Sequence, residues 1–135
     1  MKTIHTLKEV TTLDLTVFAI NSHVKDYNLC WHINRILELE LKKNKGLKID
    51  QKETFSCFEY TLEEQKILLV RNKSKKGYLL NKNKKIDYFL VFEPPLNIDS
   101  RKEFLLKLSE NSKILLIFEI DLENEPQSHR FIFNA

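Results

Sequence analysis

Seven consecutive residues, Ile86-Asp87-Tyr88-Phe89-Leu90-Val91-Phe92, carry apolar side chains at every position but Asp87. In an extended chain successive side chains alternate between the two faces of a sheet, so a strand of this composition needs cover on both sides. That places the segment in the middle of a sheet rather than at its edge. Pro94-Pro95 ends the strand, since neither residue can donate to a ladder. Asp87 lies where the apolar run meets the most basic loop of the chain, Asn81-Lys82-Asn83-Lys84-Lys85.

The other segments supply partners for such a strand. Residues 2–10 are weakly patterned and read as an edge strand. Leu13 to Ile20 is rich in β-branched and aromatic residues and runs into Asn21-Ser22, a helix N-cap signal. A helix follows, with Lys25, Asn28, His32 and Arg35 on a narrow polar stripe. Val24, Tyr27, Leu29, Cys30, Trp31, Ile33, Ile36 and Leu37 fill most of the remaining circumference, which predicts cover on more than one side. Asp26 suits the first helical turn, whereas Asn34 must find hydrogen-bond partners if buried. From Leu37 the period changes to two, predicting a strand through Leu39 and Leu41 that ends at the turn Lys43-Asn44-Lys45-Gly46.

Thr54–Tyr60 and Lys66–Arg71 read as a hairpin joined by a loop over 61–65. Tyr78-Leu79-Leu80 reads as a short strand. Ser100-Arg101-Lys102-Glu103 is a capping-box pattern that opens a second helix of two to three turns. Lys113–Ile120 is a further strand apolar on both faces, and His129–Phe133 a terminal one. Two helices and about six strands joined largely by hairpin-length loops predict a single α+β domain over residues 1–135. Its architecture is two-layer: a mostly antiparallel sheet with two helices packed on it. Two helices cannot cover so much apolar sheet, so a second subunit is expected over the remainder.

At 135 residues, with 42% apolar and 30% charged side chains, the chain can bury one core without disulfides or metal. No segment approaches the length of a membrane span and no signal-length apolar run follows the N-terminus, so a cytoplasmic protein without membrane association is expected. Cys30 and Cys57 then read as buried thiols. Charge is unevenly distributed: 41–85 holds 13 basic against 5 acidic residues, the remainder 9 against 14. A basic middle suits an anionic partner, internal ion pairs or a solvated rim of loops.

Catalytic signatures are missing. With glycines only at 46 and 77, no phosphate-cradling loop opens a helix, which excludes Walker-type nucleotide binding. The cysteines are singletons and His5, His23, His32 and His129 are scattered, so neither a metal site nor another cofactor is expected. Cys30 and His32 are two apart on a helix and do not face each other. Glu38/Glu40, Glu63/Glu64 and Glu123/Glu125 fall at strand edges or in loops and read as solvated charge. For an anionic partner the candidate contacts are Lys73, Lys75, Lys76, Lys82, Lys84 and Lys85, with Lys42, Lys43 and Lys45 in further turns and Tyr60 and Tyr78 as stacking surfaces for RNA. No RNA-recognition-motif aromatic pair is present.

Ile86-Asp87-Tyr88 resembles the Val-Asp-Tyr end of the motif that names the IPExxxVDY family, small uncharacterised proteins of Bacteroidetes. Val17 to Ser22, Asp26-Tyr27, Asn34, Leu39 to Lys43, Phe55 to Tyr60 and Arg71-Asn72-Lys73 follow in a similar order, covering about 13–92. Where the motif has Ile-Pro-Glu, this chain has Leu80-Asn81-Lys82, so no role of that glutamate carries over. The resemblance implies a cytoplasmic bacterial protein of unknown function in which Ile86, Asp87 and Tyr88 are motif positions without an assigned role. A non-enzymatic protein-interaction or adaptor module, partnered by another protein or by a second copy of itself, is the leading expectation; an RNA-associated protein is the alternative.

Overall fold

The computed structural model describes residues 14–49, 53–81 and 83–131; the edge strand expected within 2–10 lies outside them. In chain order the elements are β1 (Thr16–Asn21), α1 (Asp26–Leu37), β2 (Lys42–Lys43), β3 (Leu47–Ile49), β4 (Glu53–Phe55), β5 (Cys57–Leu62), β6 (Gln65–Arg71), β7 (Tyr88–Glu93), α2 (Ile98–Ser109) and β8 (Leu116–Glu119). Six strands form one sheet in the order β2-β5-β6-β7-β1-β8, every pairing antiparallel, and β3 pairs with β4 in a separate ribbon. With two helices on one face, this is a two-layer α+β domain. The apolar run that begins at Ile86 supplies β7, which lies between β6 and β1 as its composition requires.

Alternation along the strands divides the core in two. Phe18, Ile20, Phe58, Ile67, Leu69, Tyr88, Leu90 and Phe92 meet Leu29, Cys30 and Ile33 of α1 and Leu108 of α2. On the opposite face Val17, Ala19, Cys57, Leu68, Val70, Phe89 and Val91 are covered by coil of the same chain. Leu79, Leu80 and Ile86 come from the β6–β7 connection, and Ile120 and Phe131 from the segment after β8. Cover for the central strands on this face is therefore supplied from within the chain, while Leu116 and Phe118 of β8 stay exposed. Apolar residues isolated in polar loops, such as the Leu79-Leu80 pair, form that layer. Arg130 fastens it, donating to the Tyr78 carbonyl at 3.1 Å and pairing with Glu53 at 3.4 Å.

Several boundaries differ from the pattern-based expectation, each for a local reason. The strand expected from about residue 38 is instead turn and coil as far as Leu41. Asn34 accepts from the Leu41 N–H at 2.9 Å and donates to the Leu41 carbonyl at 3.2 Å, so both backbone groups are engaged before β2 begins. Glu38 caps α1 in the left-handed region at φ 55°. The N-cap of α1 is Lys25, not Asn21 or Ser22; the Ser22 hydroxyl instead donates to the Lys113 carbonyl. Ser56 separates β4 from β5, and the hairpin turn is only Glu63-Glu64, with Leu62 opposite Gln65. Tyr78 forms an isolated bridge with Lys73 rather than a strand.

α2 starts before its expected capping box because the Asn97 side chain accepts from the Ser100 N–H at 2.8 Å. Ser128–Phe131 is a 3-10 turn instead of the beginning of a terminal strand. β8 is an edge strand with Leu116 58% and Phe118 43% exposed, not a strand covered on both faces. Likewise α1 buries one side only. Trp31 is 55% and Tyr27 63% exposed, and the Arg35 guanidinium lies 4.8 Å above the Trp31 ring.

Candidate functional site

The connection from β6 to β7 is built on Asn72, which is completely buried. Its N–H donates to the Asp87 carbonyl at 2.9 Å and its own carbonyl accepts from the Leu79 N–H at 2.7 Å. Its side-chain oxygen accepts from the Leu80 N–H at 2.9 Å, while the amide nitrogen donates to the carbonyls of Ile86 at 2.8 Å and Asn83 at 3.1 Å. One side chain thereby closes a 15-residue excursion and turns Leu79, Leu80 and Ile86 onto the sheet. Sequence reasoning passed over this role. The available signal was an asparagine directly after an apolar strand, a residue type suited to backbone mimicry at turns.

Asp87 and Tyr88 anchor the same region to the start of the helix layer. The Asp87 carboxylate accepts from the Ser22 N–H at 2.8 Å and its backbone N–H donates to the Ile20 carbonyl at 2.9 Å. The Tyr88 hydroxyl donates to the Val24 carbonyl at 2.7 Å. Burial pushes that phenol up to about 12; the Arg71 charge opposes the shift and the Asp26 and Asp87 charges reinforce it, so at neutral pH it is a neutral donor. Asp87 and Tyr88 thus hold the turn between β1 and α1, and Ile86 is buried beneath the loop. Asp87→Asn is expected to cost about 1 kcal/mol, because an amide oxygen still accepts from Ser22 without the charge assistance. Urea midpoints check this; a loss above about 3 kcal/mol would mean that the charge itself, not the acceptor, secures the turn.

The candidate lysines separate into two groups. Lys84 and Lys85, with Asn21, Asn81, Asn83, Ile86, Leu116 and Phe118, line a cavity of about 570 Å³ on the second sheet face, between the β6–β7 loop and β8. The Asn21 side chain donates to the Lys85 carbonyl at 2.8 Å, pinning the loop against the strand. Lys73 and Lys75 instead join Thr54, Ser56, Arg71 and Ser74 around a polar recess of about 340 Å³. Lys76 is exposed and lines neither, Lys82 lies outside the described residues, and Lys42 and Lys43 stand on β2 at the far edge of the sheet. The two tyrosines considered for stacking are engaged. Lys84 stands 5.6 Å over the Tyr78 ring, and Tyr60 is half-buried against the helix-side core.

Both cysteines and His32 lie outside these cavities. Cys30 and Cys57 are free and lie on opposite faces of the sheet. Burial pushes each thiol up to about 11; the Asp26 charge reinforces this at Cys30, and the Asn44 hydrogen bond opposes it at Cys57. Neither is a thiolate nucleophile at neutral pH. His32 meets Asn111 at 3.3 Å. Among the described residues no three His, Cys, Asp or Glu side chains cluster as metal ligands, and no helix is long and apolar enough to cross a membrane.

Among the described residues Asp26 is the carboxylate whose ionisation its surroundings clearly shift. Burial works to raise it, but the Ser56 hydroxyl, the Tyr27 N–H and the Lys43 and Arg71 charges hold it below its ordinary 3.8. Its folded-state value is therefore the lower one. The resulting stabilisation is present above the unfolded-state value of about 4 and is lost as pH falls through the folded value. Melting temperatures of Asp26→Asn are expected to fall less steeply than those of the parent below about pH 4. Parallel slopes would remove Asp26 from the acid response.

No model of a known protein family matches the chain, and no curated protein matches it significantly.

Proposed function

We propose that this chain is a non-enzymatic binding module that receives an extended segment of a partner protein along the outer edge of β8. The observation that carries this is the cavity over the second face of this edge strand, lined by Ile86, Leu116 and Phe118 together with Lys84, Lys85 and three asparagines. β8 pairs only with β1 among the described residues, which leaves one row of its backbone groups for an incoming strand. An added strand would place alternate side chains over Leu116 and Phe118, covering apolar surface that is now exposed. The lysines select the partner: an apolar anchor flanked by aspartate or glutamate. The adaptor role expected from the surplus of apolar sheet surface, and the cytoplasmic location, belong to the same proposal. Free buried thiols suit a reducing compartment, and Asp87 and Tyr88 are engaged with backbone rather than poised for chemistry.

A panel of labelled acidic-aromatic peptides, titrated by fluorescence anisotropy, tests it. Affinity on the order of 10 µM is expected for a strand-sized contact, with loss on Phe118→Asp and weakening on Lys84→Glu/Lys85→Glu. Peptides indifferent to Phe118→Asp would defeat the assignment. So would mixed-sequence RNA binding through Lys84 and Lys85 in place of peptide. A dimer in light scattering that Phe118→Asp dissociates would give the edge to a second copy instead.

A further inference from the structure

We propose a second, separate site: the recess between Arg71, Lys73 and Lys75 binds the phosphate group of a small ligand. Four segments converge there. Thr54 comes from β4, Ser56 from the break before β5, Arg71 from the last position of β6, and Lys73 to Lys75 from the turn that follows. Among the described residues none of the three cations forms an ion pair with a carboxylate within 4 Å; the neighbouring acids Asp26 and Glu53 lie behind the recess wall, bonded to Ser56 and Ser74. Asp26 accepts from the Ser56 hydroxyl and the Tyr27 N–H and pairs with Lys43 at 3.8 Å. Glu53 pairs with Arg130 at 3.4 Å and accepts from the Ser74 hydroxyl at 3.3 Å.

The Asp26 charge offsets Arg71 in part, yet three cations around one concavity repel one another, and a bound anion relieves that repulsion. The fork of Arg71 suits two oxygens of a tetrahedral phosphate, and Lys73 and Lys75 supply point charges to the others. The hydroxyls of Ser56 and Ser74 shape the wall but are already donating, which leaves Thr54 as the hydroxyl contact. A volume of about 340 Å³ accommodates a phosphomonoester or pyrophosphate with a small organic body. Nucleic acid is disfavoured. Lys84 and Lys85 belong to the other cavity, so the cations are divided between two sites, and Tyr78 and Tyr60 are half-buried, Tyr78 with Lys84 over its ring.

Calorimetric and amide-shift titrations of the full chain with inorganic phosphate, pyrophosphate and ribose 5-phosphate, at about 50 mM salt, test the site. Binding is expected to shift the amides of Thr54, Ser56, Arg71 and Lys73. Arg71→Ala is expected to weaken it by about tenfold or more, and Arg71→Lys by less, because the fork is lost but the charge kept. Lys84→Ala/Lys85→Ala should leave it unchanged. Arg71 is exposed, so its variants are expected to melt as the parent does; if Arg71→Ala does not fold, Lys73→Gln/Lys75→Gln carries the same expectation. Ribose 5-phosphate binding more tightly than inorganic phosphate identifies an ester ligand, and the reverse order a free anion. Equal losses at Lys84/Lys85 and Arg71, or a short mixed-sequence RNA binding at least tenfold more tightly than pyrophosphate through Arg71, would overturn the proposal.

Discussion

Replacing Asn72 by alanine is expected to destabilise the protein by about 4 kcal/mol, a large effect for removing one small polar side chain. Three side-chain hydrogen bonds disappear, and the Leu80 N–H and the Ile86 carbonyl are left in a region that water does not reach. Each stranded group costs about 1–3 kcal/mol, so the sum exceeds the net value of the bonds themselves. Asn72→Asp is expected to be worse than Asn72→Ala. Its carboxylate keeps the acceptor for Leu80 but turns a negative charge towards the two carbonyls that the amide nitrogen now serves.

The loss should be regional as well as global. Leu79, Leu80 and Ile86 are held on the sheet by the same bonds, and both cavities take walls from the 71–86 stretch. Hydrogen exchange at the Leu79 and Leu80 amides should therefore accelerate more than at Leu69 or Leu90 in the central strands. A urea midpoint within the error of the parent, together with unchanged exchange at Leu79 and Leu80, would show that the loop is held by packing alone.

Why Asn72 escaped the sequence while β7 did not is a matter of range. The period-two pattern and apolar density of Ile86–Phe92 are local, and a strand apolar on both faces has few places in a sheet. α1, the hairpin of β5 and β6, and the antiparallel two-layer architecture were legible for the same reason. Asn72 acts on residues 7 to 15 positions away, and Asn34 on Leu41, through bonds that depend on how a loop returns to its start. No periodicity records such a return. The sites were legible only in part. Lysine-rich turns were evident, but their division between two cavities follows from Asn21 pinning Lys85 and from the break at Ser56. Exposure of Trp31 and Leu116 was misjudged because an apolar side chain predicts burial only when something lies opposite it.

The coil layer on the second sheet face makes its own demand, which Phe131→Ala measures. Phe131 is 1% exposed, and its ring meets Phe89 edge-on at 5.0 Å. Deleting a buried phenyl group typically costs about 3–5 kcal/mol, and the low end is expected here because a coil segment collapses into the gap more readily than a strand does. Besides losing stability, the variant should uncover Phe89 and its neighbours on the face that a second copy was expected to cover. Light scattering on the folded variant should then show concentration-dependent association beyond that of the parent. Phe118→Asp provides the comparison, since it changes the β8 edge and leaves the coil layer intact. If Phe131→Ala melts with the parent and associates no more strongly, then the layer does not seal the face, and the case for cover by a second subunit returns.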